Sequence, residues 1–495
     1  MIAVRINQRL VRARLGRMGS RRGPYYRRSR VTPVEGRGLS WKSTQEVTKT
    51  EGLALSLTTP ESVQKLQAAL HDKAKRSPDF RFYALYDKVY RKDVLKHAYE
   101  CSRANGGVAG VDEQTFAEVK AYGVEQWLDE LTQELKDRTY RPHSVRRVHI
   151  PKLDGKQRPL GIPVIRDRVV MMAAVLVLDP IFEADLAPEQ YAYRRNRGAL
   201  DAVRQVHKLI NTGYREIVDA DLSAYFDTLP HAELLKSVAR RVVDGAMLHL
   251  IKMWLTAPVE VTHERGRKQR ITLSRDQGRG TPQGSPISPL LSNLYMRRFV
   301  LGWKKLGYET RLGAHIVNYA DDLVICSSGR GEEALTAMRV MMTRLKLTVN
   351  ETKTRVARLP EERFDFLGYT FGRCYSPQTG RAYLGTAPSK KRIQRICASI
   401  SNETRRSTTL LEPEKVIRKL NQMLQGWANY FYLGPVSKAY RAIDQHSSGR
   451  LRQWLRVKHK VEGRATSKFP DDVLHDTYGL LRLAERTRNF PWAKP

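Results

Sequence analysis

His315-Ile-Val-Asn-Tyr-Ala-Asp-Asp-Leu-Val-Ile-Cys326 is the stretch on which the fold turns. Apolar residues lie on both sides of an acidic pair, so two buried strands are predicted, His315 to Asn318 and Leu323 to Cys326, with a turn between them. One Asp there would be ordinary turn chemistry. Two adjacent carboxylates, preceded by an aromatic and a small residue, cost repulsion and desolvation unless a cation offsets them. Asp321 and Asp322 are therefore read as metal ligands. A third candidate, Asp221, ends the apolar run Ile217-Val-Asp-Ala-Asp-Leu222 about a hundred residues upstream. Hard oxygen donors brought together from separate strands suit Mg²⁺, which favours carboxylates and substrate phosphates. The chemistry expected of them is two-metal phosphoryl transfer.

Working outward, the chain has 495 residues, enough for two to four domains, and a formal net charge of +36. With 41% hydrophobic residues, wholesale disorder is excluded. The longest apolar run, Val169 to Leu178, is too short to span a bilayer and is closed by Asp179 and Pro180. Cys101, Cys326, Cys374 and Cys397 show no CxxC spacing, which argues against a disulfide framework or a zinc ribbon. The expectation is a soluble intracellular protein, bacterial-cytoplasmic or organellar, whose charge calls for a polyanionic partner. Residues 1–30 hold ten Arg and no Asp or Glu, the composition of an arm that grips phosphates. Arg21, Arg22, Arg27 and Arg28 are its candidate nucleic-acid contacts; a transit leader and a misplaced start codon are the other readings of this segment. Residues 381–495 carry 23 basic and 9 acidic residues, with Lys390, Lys391 and Arg392 as further candidate nucleic-acid contacts.

Between these basic ends the pattern mixes helix and strand. Helices are predicted over Ser62 to His71, Phe82 to Cys101, Val124 to Lys136, Val169 to Leu178 and Glu332 to Leu345. Val145 to Ile150 alternates like a strand and leads into a hairpin turn at Asp154-Gly155. Phe364 to Phe371 reads as a pair of short strands, and Val416, Leu420, Met423, Leu424 and Trp427 fall at helical spacing. The fold class is α+β: a mixed catalytic body followed by a helical appendage.

Several longer motifs now give the acidic strands a family resemblance. Tyr319-Ala-Asp-Asp322 resembles the YxDD box of group II intron-encoded reverse transcriptases. Lys152-Leu-Asp-Gly-Lys-Gln-Arg158-Pro-Leu-Gly-Ile-Pro163 resembles their first fingers motif, and Asp219-Ala-Asp221-Leu-Ser-Ala-Tyr225-Phe226-Asp227 their first palm motif. Gly280-Thr-Pro-Gln283-Gly284-Ser-Pro286 resembles the PQG motif, with a helix expected to start at Ser285-Pro286. Leu345 to Lys353 and Phe366-Leu-Gly-Tyr369 resemble the later palm boxes, and Gly426-Trp-Ala-Asn-Tyr-Phe431 the maturase, or X, domain. They stand in family order.

The resemblance implies a right-hand polymerase of fingers and palm over 61–380, followed by an α-helical thumb and maturase domain over 381–495, with a basic arm and linker over 1–60. It implies templated DNA synthesis from dNTPs on an RNA template and a DNA primer or target, with two Mg²⁺ ions. It also implies binding of the parent group II intron RNA, assistance in its splicing, and mobility by reverse transcription. Asp221, Asp321 and Asp322 would hold the metals, and Lys353 would protonate the departing pyrophosphate. Lys152 and Arg158 would grip the nucleotide's triphosphate. Tyr225 or Phe226 would lie under its sugar, and Gln283 and Gly284 would approach the template–nucleotide pair. The family's Cys- and His-rich nuclease domain is expected to be missing. Two other readings remain open at this point: a host-recruited reverse transcriptase in defence or spacer acquisition, and a non-enzymatic splicing factor. Oligomeric state is not legible.

Overall fold

The computed structural model describes residues 57–151, 157–262, 268–282, 284–376 and 379–487. In α1 (Glu61–Arg76) the helical spacing turns Val63, Gln67, Leu70 and Ala74 inward. The helix expected over Phe82 to Cys101 is broken. Phe82 bridges to Val242, a single helical turn covers Tyr86–Val89, and α2 runs over Lys92–Asn105. Asp244 is the physical reason: its carboxylate accepts from the backbone N–H groups of Leu85 and Tyr86 at 2.7 and 2.8 Å, starting a new turn there. The expected helix over Val124–Lys136 is present as α3, with Trp127, Leu128, Leu131 and Leu135 buried.

Strands β1 (Val145–Pro151) and β2 (Gln157–Ile162) form an antiparallel hairpin, closed where Pro151 faces Gln157. Helix α4 (Ile165–Glu183) runs through Pro180, where the sequence predicts an end. The carbonyl that Pro180 cannot reach, that of Leu176, accepts instead from Gln67 Nε2 at 2.9 Å. A neighbouring helix thus supplies the donor that proline lacks.

Then come α5 (Ala199–Asn211), β3 (Glu216–Asp221), α6 (His231–Ala239), α7 (Gly245–Leu255), β4 (Val259–Thr262) and β5 (Lys268–Ile271). Helix α8 (Ser288–Lys305) begins three residues later than predicted, with Pro289 rather than Pro286 in its first turn. The Ser285 and Ser288 hydroxyls are 2.7 Å apart and Ser288 Oγ donates to the Pro282 carbonyl, holding the preceding segment in a turn. Strands β6 (Ala314–Tyr319) and β7 (Asp322–Ser327), helix α9 (Gly331–Arg344) and strand β8 (Arg355–Arg358) complete the centre. A last sheet of β9 (Phe364–Phe366), β10 (Tyr369–Tyr375) and β11 (Ala382–Pro388) precedes three helices, α10 (Lys390–Glu403), α11 (Pro413–Tyr430) and α12 (Ser437–Lys458).

The sheets run in the orders β2-β1-β4-β5, β6-β7-β3-β8 and β11-β10-β9. The second is antiparallel throughout and buried on both faces. Period-two alternation divides its strands between two cores: Val218, Leu323 and Ile325 enter a large helical core, while Ile217, Val317 and Val324 enter another with α5 and Phe364, Phe366, Tyr369 and Phe371. A third core, from Ile396 to Leu483, lies in the C-terminal helices. Among the described residues no helix is long and apolar enough to cross a membrane.

Candidate active site

Register places the carboxylates. Antiparallel pairing sets Asp221, the last residue of β3, directly opposite Asp322, the first of β7. On the other side Tyr319 also faces Asp322, so Ala320 and Asp321 form a two-residue turn. Ala320 sits at φ 59°, a left-handed conformation that costs a non-glycine residue about 1 kcal/mol. The buried Asn318 side chain holds it there, its Nδ2 donating to the Ala320 carbonyl at 2.9 Å. All three predicted aspartates thus meet at one open end of the central sheet.

Their neighbours show how that charge is balanced. Asp221 Oδ2 accepts from Asn350 Nδ2 at 2.9 Å and from Lys353 Nζ at 3.1 Å. Its carbonyl also accepts from the Asn350 N–H at 2.8 Å. Desolvation, then repulsion from Asp321, Asp221 and Asp219, pushes the Asp322 carboxyl up to about 7. By surface area Asp322 is exposed, although the packed walls around it withdraw solvent. Surface area decides whether an ion can reach it, and it can. Asp219, on the same strand face as Asp221, is likewise pushed up, to about 6, by burial and by Asp221 and Asp365, against the pull of Arg355. Among the described residues no group of three or more His, Cys, Asp or Glu side chains is gathered so that it could by itself hold a metal ion. Mg²⁺ does not require one: one or two carboxylates plus substrate phosphates and water suffice. An open, mutually repelling carboxylate edge therefore fits that ion.

The aromatic pair beside Asp221 is unequal. Both rings are buried, but the Tyr225 hydroxyl donates to the Ser292 carbonyl at 2.7 Å, a tether that Phe226 lacks. The Phe226 carbonyl accepts from the Thr281 N–H at 2.7 Å, tying the first palm motif to the glycine-rich loop. In that loop Gly284 has φ +108°, and a Cβ there would lie 2.8 Å from the Gly161 carbonyl of β2. Gly284 thus touches the fingers hairpin itself. Lys152, Gln283 and the arm residues Arg21, Arg22, Arg27 and Arg28 lie outside the described residues, as does the side chain of Arg158.

Two contacts escape the sequence reading. Tyr430 Oη donates to the Leu367 carbonyl at 2.8 Å, and Tyr369 Oη to the Tyr430 carbonyl at 2.5 Å, so the 426–431 motif locks onto the turn between β9 and β10. Trp427 packs against both the sheet core and the helical core, with its ring 4.6 Å from that of Phe431. Arg392, at the start of α10 and exposed like Lys390 and Lys391, lies against Gly368, and its charge eases ionisation of Asp322. The only signal in the sequence was that both segments are aromatic and apolar. Asn350 was closer to legible, three residues before Lys353 in the same motif.

The comparisons with known proteins concern the chain's family. Residues 150–371 match the family described as reverse transcriptase (RNA-dependent DNA polymerase), and residues 393–469 match the group II intron, maturase-specific domain. Protein YkfC of Escherichia coli (strain K12) is 30% identical over 368 residues, covering 66% of this chain and 93% of that protein. Group II intron-encoded protein LtrA of Lactococcus lactis subsp. cremoris is 31% identical over 232 residues, covering 45% of this chain and 36% of LtrA. A partial Cas6-RT-Cas1–Cas2 complex aligns at TM-score 0.32 and 20% identity over 52% of this chain and 42% of its own, too loosely to bear on the argument.

Proposed function

Since the chain belongs to the group II intron-encoded reverse transcriptases and maturases, we propose which of its residues carry that activity. The chain is an RNA-directed DNA polymerase whose maturase domain serves intron splicing and mobility. The observation that carries the residue assignment is the cross-strand pairing of Asp221 with Asp322 beside the Asp321 turn. Asp221, Asp321 and Asp322 hold two Mg²⁺ ions. When bound, the ions supply activation of the primer's 3′ hydroxyl and neutralisation of the leaving pyrophosphate. Asn350 orients the Asp221 carboxylate, 2.9 Å away, and Lys353, 3.1 Å from that carboxylate, protonates the leaving phosphate.

Phe226, rather than the tethered Tyr225, lies under the sugar of the incoming dNTP, where a ring excludes a ribose 2′ hydroxyl. Lys152 and Arg158 grip its triphosphate, and Gln283 and Gly284 approach the template–nucleotide pair. Fingers and palm span 61–380, the helical thumb and maturase domain 381–495, and the basic arm 1–60. The separate C-terminal core supports that division. Arg21, Arg22, Arg27, Arg28, Lys390, Lys391 and Arg392 contact nucleic acid: intron RNA, RNA template and DNA primer. Bacterial relatives support a cytoplasmic setting.

The test is primer extension on an RNA template by Asp321→Asn, with Asp221→Asn and Asp322→Asn beside it. Each variant should fold normally and lose most turnover. An Asp321→Asn enzyme with full Mg²⁺-dependent extension would refute the assignment, and a wild type without extension would favour the non-enzymatic splicing factor.

A further inference from the structure

A cavity of about 400 Å³, lined by none of the three aspartates, opens between α6, the later half of α8 and the end of α4. Its charged lining is Asp185, Lys236, Arg240, Arg297 and Arg298, four cations against one carboxylate, a net of +3. Even that carboxylate is engaged, its Oδ2 lying 3.4 Å from Arg241 Nε. Glu233, the next acid along α6, is bonded to Lys346 at 2.6 Å. Among the described residues, no acidic group stands within ion-pair distance of Lys236, Arg240 or Arg298.

The cluster is built rather than merely solvated. Arg297 is half-buried, with its Nε donating to the Asp185 carbonyl at 2.6 Å. Burial and repulsion from Arg240, partly countered by Asp185, hold it below the usual arginine range. Arg298 lies over the Tyr295 ring at 5.4 Å. A concave wall focuses such a field on an entering anion. Lys236 and Arg240 stand one helical turn apart, about 5–6 Å between Cβ atoms, so they present a row of charge rather than a point. A row suits successive phosphates, and forked guanidinium groups suit their oxygens.

We propose that this cavity is a phosphate-binding site for an RNA backbone, a palm contact with the intron RNA separate from the arm and the maturase helices. It rests on the RNA partner assigned above. Clustered phosphate oxygens could also come from a free polyphosphate, so the experiment has two arms. In the first, the full chain and a K236Q/R240Q/R298Q variant bind intron RNA in filter assays across a salt series. All three side chains are exposed, and thermal melts of the two proteins should coincide. Losing three phosphate contacts should flatten the slope of log affinity against log salt by about two to three and weaken binding at least about tenfold. Extension of a short primer–template should stay within about twofold. An unchanged salt slope overturns the proposal.

In the second arm, inorganic pyrophosphate is titrated calorimetrically into both proteins. Binding that the variant loses while its RNA slope is unchanged would give the cavity to a free polyphosphate, and overturn the RNA assignment. Failure of the polymerase reading is distinguishable, because it shows as full extension by Asp321→Asn, which the salt slope does not touch.

Discussion

Gly284→Ala tests whether the glycine-rich loop is pressed against the fingers. Two costs are expected at that position. The backbone has φ +108°, and forcing alanine there costs about 1–2 kcal/mol. The new Cβ would also meet the Gly161 carbonyl at 2.8 Å and Leu160 Cδ1 at 2.9 Å. Leu160 can shift its side chain, but the Gly161 oxygen belongs to a paired strand. Overpacking of this kind costs about 1–3 kcal/mol. Alanine's narrower unfolded ensemble returns about 0.4–1 kcal/mol, leaving a net loss of about 1–5 kcal/mol. Gly278→Ala is the matched control: its φ is +62°, yet nothing lies within 4 Å of the added Cβ. It should cost about 1 kcal/mol or less. Urea denaturation of both variants reads the difference. Primer extension then shows how it is relieved, since a loop displaced by about 1 Å should lower kcat/KM for dNTP by about a hundredfold. If Gly284→Ala unfolds no more readily than Gly278→Ala and extends primers normally, the loop does not bear on β2 and the reasoning fails.

Two further outcomes follow from buried groups elsewhere. Asp167 is buried, accepting from Tyr140 Oη at 2.7 Å and from the His143 N–H at 2.9 Å, and desolvation still raises its carboxyl above the usual range. Because the folded state holds that proton more tightly than the unfolded chain, stability should fall as pH rises above about 4. Asp167→Asn should flatten this part of the curve in urea melts at graded pH, and an unchanged curve would refute the assignment. Trp427→Ala removes a half-buried ring that packs against two cores, at a cost of about 2–3 kcal/mol, below the range for a fully buried aromatic. It should shorten extension products as well as lower the melting temperature; full-length products from a destabilised variant would mean that the joint does not serve the polymerase.

What was legible in the sequence depended on whether the signal was local. Val124 to Lys136 carries its amphipathic stripe within its own residues, and the structure places the helix there. Asp321 and Asp322 were legible because apolar neighbours on both sides leave little else for adjacent carboxylates to do. Where the deciding atom was distant in sequence, the reading failed. Pro180 was read as a stop because nothing near it shows that Gln67 will take the Leu176 carbonyl. Phe82 to Cys101 was read as one helix because Asp244, which breaks it, lies about 160 residues away. The start of α8 was misread because Pro286 and Pro289 are equally good first-turn residues, and only the Ser285–Ser288 contact separates them. The basic cavity was invisible for the same reason: Lys236 and Arg240 on one helix, and Arg297 and Arg298 on another, look like ordinary solvated charges until the helices pack.

The joint at Tyr430 has a consequence for how the two activities share one chain. The maturase motif could have been a surface for RNA alone, but Tyr369 Oη donates to the Tyr430 carbonyl and Tyr430 Oη to the Leu367 carbonyl, next to Gly368. Arg392, at the head of the first C-terminal helix, occupies the space that a Cβ on Gly368 would take, and its charge reaches Asp322. A rotation of α10 and α11 would therefore move a cation relative to the palm carboxylates. It would also move the turn that neighbours them. Coupling of this kind would need no long pathway, because the contacts are direct and α10 and α11 pack against each other. Intron RNA bound on those helices would then bias the same geometry that polymerisation requires. The bias must run both ways, since RNA that favours one helix position is itself held more tightly when primer and dNTP favour it too.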